Sequence, residues 1–117
     1  MKASMVTMAP TLDGHAIDET LGIVRGIIVR SRSVIGVLGA RIQTIFGGNI
    51  TVYTTMCEQA RADAFAQMIE HAELLGGNAI ISVRYDTTEI MPGVTEVLCY
   101  GTAIRARLAL TSAPSAA

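Results

Sequence analysis

One long helical segment constrains the fold of this chain more than any other feature. Thr54 or Thr55 is a candidate N-cap, and Glu58 stands in capping-box position three residues after Thr55. The pattern ends at Leu75 before the glycine pair at 76–77, which gives about 20 residues or roughly 30 Å of helix. Its apolar side chains fall on one broad arc at 100° per residue: Cys57, Ala60, Ala64, Phe65, Met68, Ile69, Ala72 and Leu75. A helix with such an arc requires a second layer to cover it.

Two segments with strand periodicity follow the helix and predict that second layer. The first, 78–90, alternates so that its apolar residues Ile81, Val83 and Tyr85 share one face. The second, 95–108, places these residues on one face: Val97, Cys99, Gly101 and Ala103. The intervening "MPGV" at 91–94 is a tight turn. We therefore expect an antiparallel hairpin that packs against the long helix.

The chain before the helix contributes at least one more strand. Residues 19–30 are rich in β-branched side chains, and Gly22 and Gly26 within them indicate bulges or a close backbone approach. A short strand is expected at 3–8, and "TLDGH" at 11–15 is expected to be a turn.

A second, weaker helix is predicted over 31–46, with Ser33 as its candidate N-cap. Its apolar residues recur at helical spacing, although Gly36 and Gly39 each cost about 1 kcal/mol relative to alanine. The pair Gly47-Gly48 ends it.

These elements predict the fold class α+β. The expected architecture is a two-layer domain in which an antiparallel β-sheet packs against one long helix, with a short additional helix. A chain of 117 residues is the length of one domain, so we assign residues 1–117 to a single unit. The small, polar end of the chain predicts a flexible tail over 108–117.

The composition favours self-association and argues against other classes of partner. Half of the residues are hydrophobic and only 16% are charged, which leaves aliphatic surface for another copy to cover. A net charge of −1 and 4% aromatic residues argue against nucleic-acid binding. The longest apolar run, residues 34–40, is too short to span a membrane. Two cysteines without a disulfide or metal-knuckle spacing predict a cytoplasmic location.

Arg61 is the residue that fits the helical pattern least, because it falls within the apolar arc. In one interpretation its planar guanidinium bridges to a carboxylate or a carbonyl group at a subunit boundary. In the other it binds a small anion in a pocket between subunits. The pair Gly47-Gly48 precedes a helix N-terminus and would suit an anion site, although a helix stop and a turn explain it equally well.

Metal binding would require several deprotonated ligands that converge on one point. Cys57 and Cys99 could meet if the helix packs on the hairpin, and Met56 or Met68 could add a soft ligand. Buried cysteines that act as small hydrophobic residues are the alternative. Catalysis has weaker support, since no nucleophile elbow is present and His71 lies at the margin of the apolar arc. We name no catalytic residue.

Several stretches of the sequence match a known family in order and spacing. They are "TLDGHAIDETLGIVRG", the pair Gly47-Gly48 followed by Tyr53, "ARADA" at 60–64, "LGGNAIISVRYD" at 75–86 and "GTAI" at 101–104. Over residues 8–106 the chain resembles the YbjQ family, a bacterial group of uncharacterised proteins labelled as heavy-metal-binding. The resemblance implies a small α+β subunit similar to that of dodecin, assembled into a pentameric ring. It also implies an arginine at position 61 without defining its role.

Three functional hypotheses follow. The first is a non-enzymatic cytoplasmic homo-oligomeric ring that binds a small anionic or organic ligand between subunits, with Gly47, Gly48, Tyr53 and Arg61 near the cleft. The second is a heavy-metal-binding protein that uses Cys57 and Cys99, with a metal ion as its cofactor. The third is an enzyme that acts on a small substrate.

Overall fold

The computed structural model describes residues 1–31 and 50–109, and for residue 31 and residues 50–53 it describes the backbone alone. A short 3-10 helix spans Ala3–Met5. Strand β1 spans His15–Ser31, helix α1 spans Ile50–Leu74, strand β2 spans Ala79–Met91 and strand β3 spans Val94–Leu108.

The three strands form one antiparallel sheet in the order β1-β3-β2, and α1 packs on one of its faces. This confirms the α+β class, with the 3-10 turn as a short extra helix. Ser31, the first residue of the helix predicted at 31–46, belongs to β1, and the rest of that prediction lies outside the described residues, as do residues 110–117 of the predicted tail. Leu108 closes β3, and the N–H of Ala109 donates to the carbonyl of Gly14 at 2.9 Å. In the described ranges, no helix is long and apolar enough to cross a membrane.

Helix α1 begins earlier than the capping residues indicated but ends where the glycines predict. Because it starts at Ile50, Thr54 and Thr55 lie inside it, and their assignment as N-caps is wrong. At the other end Gly76 has φ +86°, and the N–H of Gly77 donates to the carbonyl of Ala72 at 2.9 Å. This Schellman arrangement satisfies the last carbonyls of the helix and confirms the predicted stop.

Small side chains dominate the buried strip of α1. Ala60, Ala64 and Ala72 are almost fully buried, and Met68 is the one large side chain between them. Cys57 and Leu75, at the two ends of the predicted arc, are exposed. A strip of alanines allows the helix backbone to approach the sheet closely, so the strand beneath it also requires a small residue.

Gly26 of β1 supplies that small residue. A methyl group at Gly26 would lie 2.7 Å from Cβ of Gln67 and 2.8 Å from the backbone nitrogen of Met68, closer than atoms can pack. Gly22 has φ +126° and sits at a register shift between β1 and β3. The close approach and the bulge predicted for these two glycines are therefore both present.

A bulge in β2 changes which residues face the helix. Ser82 has φ +55°, and the pairing with β3 shifts between Ile81 and Arg84. Ile80 and Val83 consequently both join the core under α1, whereas Ile81 packs on the opposite side of the sheet. The prediction that Ile81 shares a face with Val83 and Tyr85 is wrong, because strict alternation fails at an extra residue.

The N-terminal segment runs along the free edge of β2 and does not form the short strand predicted at 3–8. It forms one parallel bridge, between Val6 and Ile80, and the N–H of Thr7 donates to the carbonyl of Ile80 at 3.0 Å. Further along, the N–H of Val83 donates to the carbonyl of Thr7 at 3.0 Å, and the N–H of Ser82 donates to that of Ala9 at 2.9 Å. Met5 and Leu12 then pack against Ile81 and its neighbours in a second, smaller cluster. This segment covers one end of the sheet face that lies away from α1.

Candidate functional site

A cavity of about 180 Å³ lies between the first half of α1 and the hairpin formed by β2 and β3. We call it the helix–hairpin cavity. Its helical wall carries Met56, Cys57, Ala60 and Arg61, and its sheet wall carries Arg30, Thr87, Thr95 and Val97. The surface between these side chains is mostly apolar. Among the described lining residues both formal charges are positive, so the cavity is suited to an anion with an apolar body.

Arg61 lies at the edge of this cavity and is exposed. Its guanidinium carbon is 5.7 Å from the ring centroid of Tyr85, which is a cation–π distance. Within the described residues, the side-chain ion pairs involve other arginines, namely Arg30, Arg105 and Arg107. The structure therefore places Arg61 over an aromatic ring in β2, with its hydrogen-bonding groups available to the cavity.

Arg30 is the second arginine of the cavity, and the sequence did not single it out. Its Nη2 is 3.2 Å from Oδ2 of Asp63 on α1, so its charge is already partly balanced. A signal for it exists in the strand periodicity. Val24 and Gly26 face the helix, and the same alternation carries Arg30 to the helix side near the end of β1.

The two cysteines occupy different environments. Cys57 is exposed and lines the cavity, whereas Cys99 is fully buried in the core. The thiol of Cys99 donates to Sδ of Met68 at 3.7 Å. Burial raises the pKa of the Cys99 thiol, so the neutral form is favoured.

Tyr85 connects the cavity to this core. It pairs with Cys99 across the hairpin, and burial raises the pKa of Tyr85 to about 12, with the Cys99 sulfur as a further cause in the same direction. The positive charge of Arg61 acts in the opposite direction. Tyr85 therefore remains a neutral hydroxyl and supports Arg61 through its ring.

The other residues predicted to line the site, Gly47, Gly48 and Tyr53, are not among the described lining residues of the cavity. Gly47 and Gly48 lie outside the described residues. Tyr53 is part of α1, one turn before Cys57, and its side chain is outside the described part of the chain. Whether these three residues act with Arg61 stays a prediction.

Two titratable residues, His71 on α1 and Glu89 beside the hairpin turn, have structural contacts. Nδ1 of His71 accepts a hydrogen bond from the N–H of Arg25 in β1 at 3.2 Å. Glu89 pairs with Thr95 across the hairpin, and its Oε2 accepts the N–H of Gly93 in the turn at 3.2 Å. Glu96 lies opposite Thr88, so the two glutamates are not directly paired.

The described residues do not form a complete metal site. No group of three or more histidine, cysteine, aspartate or glutamate side chains converges within residues 1–31 and 50–109. The thiol of Cys99 is hydrogen-bonded to Met68 in the core, and its pKa is raised by burial. The raised pKa disfavours the thiolate that a metal requires. Cys57 and Met56 do line one cavity, so they are two soft donors that lie side by side there.

The described residues define a small α+β domain with a cavity between its helix and its hairpin. Comparison with protein families identifies the group. Residues 4–107 match the YbjQ family model, whose description is "Putative heavy-metal-binding". Because the match covers most of the chain, this protein belongs to that family, which confirms the resemblance seen in the sequence.

Individual relatives support the same assignment. The chain is 62% identical over 103 residues to a UPF0145 protein of Paraburkholderia phymatum, which covers 88% of this chain and 93% of the relative. It is 60% identical over 102 residues to a UPF0145 protein of Burkholderia thailandensis, which covers 87% and 92% respectively. These bacterial relatives therefore match nearly the full domain.

A solved structure shares the fold. The crystal structure of a protein of unknown function from Pediococcus pentosaceus, assigned to the DUF74 family, aligns with a TM-score of 0.52 at 20% identity. The alignment covers 86% of this chain and 94% of the other. At this identity the similarity establishes the fold alone.

Proposed function

We propose that this protein is a non-enzymatic, self-associating binding protein, a cytoplasmic ring of identical subunits that takes up a small anionic or organic ligand. The observation that carries the proposal is the sheet face turned away from α1. On β1 that face presents aliphatic side chains where an antiparallel sheet facing water would place polar ones. Ile23 is 72% exposed and Val29 is 52% exposed, and Ile27 between them is also exposed.

The neighbouring strand extends this surface. Ile27 lies opposite Leu98 of β3, so the aliphatic surface of β1 continues onto the neighbouring strand. Arg25, on the same face of β1, lies opposite Tyr100. We call these four residues the outer-face patch: Ile23, Ile27, Val29 and Leu98. Exposed apolar patches of this kind usually mark a surface that another protein covers.

A second copy of this chain is the proposed occupant. The patch sits on one side of the subunit, and packing it against a different surface of the neighbour gives a head-to-tail contact that closes a ring. The pentamer is the assembly that the family resemblance implies. Both described cysteines are free, which supports a reducing compartment such as the cytoplasm.

A native mass spectrum tests the assembly. The wild-type protein should appear at an integral multiple of 12.4 kDa, five subunits in the proposed ring. Ile27→Lys should lower the subunit number, because a buried unpaired ammonium group is costly at an interface. Ala62→Lys, at an exposed position of α1, is the matched control and should leave the ring intact. A wild-type monomer at micromolar concentration would contradict the proposal.

Heavy-metal binding is the second candidate, favoured by the accessible Cys57 thiol beside the Met56 thioether in the cavity. These donors do not complete a site, so the remaining ligands would have to come from outside the described residues or from another subunit. The test is the zinc and copper(I) content of protein purified without a chelator. The double variant Cys57→Ser, Cys99→Ser should lose the metal, and unchanged metal content in that variant would exclude this candidate.

A further inference from the structure

The helix–hairpin cavity combines a mostly apolar lining with two arginines, and its small volume limits what it can hold. Its volume of about 180 Å³ equals roughly six water molecules at the density of the liquid. A ligand of about six to eight non-hydrogen atoms would fill it. The described walls could not enclose a nucleotide or another large cofactor.

The walls define the body of the ligand. Met56 and Ala60 on the helix and Val97 on β3 present apolar surface to the cavity. A flexible or linear aliphatic chain can lie against such surface without stranding a polar group, whereas a fully hydrated inorganic anion would gain nothing from it. The hydroxyl-bearing side chains Thr87 and Thr95 form the polar part of the sheet wall.

The two arginines define the charge of the ligand. Arg30 is already paired with Asp63 at 3.2 Å, so among the described lining residues the guanidinium of Arg61 remains to meet an anion. Its position over the Tyr85 ring, 5.7 Å from the centroid, holds it without consuming its hydrogen-bond donors. A planar guanidinium fits a carboxylate through two parallel hydrogen bonds.

We propose that the helix–hairpin cavity binds a short aliphatic monocarboxylate of about four to six carbons, with its carboxylate on Arg61 and its chain against Met56, Ala60 and Val97. This inference rests on the proposed function, since it names the ligand of the same binding protein. It also places the ligand within one subunit and not between subunits, because β1, β2, β3 and α1 of one chain supply the whole described lining.

Cys57 provides a reporter inside the cavity. Its thiol is exposed and lines the same space, and it lies one helical turn before Arg61. Alkylation by iodoacetate, an anion, can be compared with alkylation by iodoacetamide, its neutral counterpart, and peptide mapping separates Cys57 from the buried Cys99. The ratio of the two rates reports the local charge independently of thiol reactivity.

The expected result is an iodoacetate-to-iodoacetamide ratio at Cys57 about threefold higher in the folded protein than in the unfolded chain. That is the Coulomb effect of one positive charge about 6 Å away in a water-like dielectric. Arg61→Met should remove most of this increase. Arg105→Met, which removes an arginine paired with Glu19 away from the cavity, should leave the ratio unchanged.

Ligand protection is the decisive measurement. Hexanoate should slow the iodoacetamide reaction at Cys57 with half-maximal protection at about millimolar concentration, as expected for a ligand of this size. Hexanamide, the uncharged analogue, and inorganic phosphate should protect much less. Arg61→Met should abolish protection by hexanoate.

The outcomes distinguish this inference from the assembly. Equal protection by hexanoate and hexanamide, or no reaction of folded Cys57 with either reagent, would overturn the carboxylate site while the mass spectrum still reports the ring. A monomeric wild-type protein that hexanoate protects through Arg61 would overturn the ring and leave the cavity proposal standing.

Discussion

The backbone N–H of Ile27 donates a hydrogen bond to Oε1 of Gln67 at 3.1 Å, so a side chain of α1 occupies the free edge of β1. One turn further along the helix, Nδ1 of His71 accepts the N–H of Arg25 at 3.2 Å. Four helical residues rise about 6.0 Å and two strand residues about 6.7 Å, so the two spacings nearly coincide. The helix thereby satisfies edge donors that would otherwise be open to pairing with another strand.

Gln67→Ala should expose this edge. The substitution keeps Cβ, which packs beside Gly26, and removes the acceptor of the Ile27 N–H. We expect a loss of about 0.5–1.5 kcal/mol in the free energy of unfolding and faster hydrogen exchange at the Ile27 amide. Gln59→Ala is the control, since the Gln59 amide donates to Asp63 within the helix. Unchanged exchange at Ile27 in Gln67→Ala would show that water replaces the bond without loss.

Gly26→Ala should destabilise the protein more than Gly101→Ala. A methyl group at Gly26 meets helix backbone, including the Met68 nitrogen at 2.8 Å, and the helix would have to move away. At Gly101 its nearest neighbour is the Ile80 Cγ2 methyl at 2.8 Å, which can shift. Overpacking costs about 1–3 kcal/mol, and we expect Gly26→Ala at or above the top of that range. Thermal or chemical unfolding of both variants gives the order, and a reversed order would contradict this account.

Asn78 extends the β2–β3 ladder with its side chain. Its Nδ2 donates to the carbonyl of Ala106 and its Oδ1 accepts the N–H of Ala106, both at 2.8 Å. Asn78→Ala should cost about 1–3 kcal/mol in unfolding free energy, because both backbone groups lose their partner. Asn78→Gln keeps the amide but is one methylene too long for this geometry, so it should also destabilise. A wild-type stability for Asn78→Gln would mean that the two-bond geometry is unimportant.

Tyr85 should titrate near pH 12 in the folded protein, because burial raises its pKa above the ordinary value of 10. A group that binds its proton more tightly when folded stabilises the fold below pH 10, and this contribution is lost as the pH rises from 10 to 12. The difference between ultraviolet titrations of the wild type and Tyr85→Phe isolates this residue. In Arg61→Met the pKa of Tyr85 should rise further, since the arginine charge lowers it. Titration of Tyr85 near 10 would show that its partly exposed ring is not desolvated enough to raise the pKa.

Much of the fold follows from hydrophobic periodicity and from glycine stop signals in the sequence. The alternation of Val97, Cys99 and Ala103 places all three in the core under α1, as predicted. The helix stop at the glycine pair, 76–77, is equally local, because a left-handed residue there closes the last turn whatever packs nearby. Other features resisted local reasoning. Helix α1 begins at Ile50, although two threonines further along were suitable N-caps. The bulge at Ser82 has no neighbouring glycine or proline that would indicate it in the sequence.

The candidate site shows the same division. Arg61 was identifiable because a charged residue interrupts an apolar arc, but its partner, the Tyr85 ring, comes from a strand 24 positions away. The sequence allowed Cys57 and Cys99 to act as a pair. In the structure, however, Cys57 lines a cavity, and the thiol of Cys99 is hydrogen-bonded to Met68 in the core. Spacing along a chain does not define which side chains converge when helix and hairpin pack.

The sequence by itself determined the fold class, the long helix and its end, because these depend on short-range periodicity and backbone freedom. It also indicated that Gly22 and Gly26 serve a bulge or a close backbone approach, without assigning either role to one of them. Only the tertiary structure decided that Arg30 and Arg61 share a cavity and that Ile23, Ile27 and Val29 remain exposed on the outer face. The physical reason is that the burial of a side chain depends on which other layer packs against its face of the sheet. A strand's two faces alternate identically in sequence whether α1, solvent or another subunit covers them.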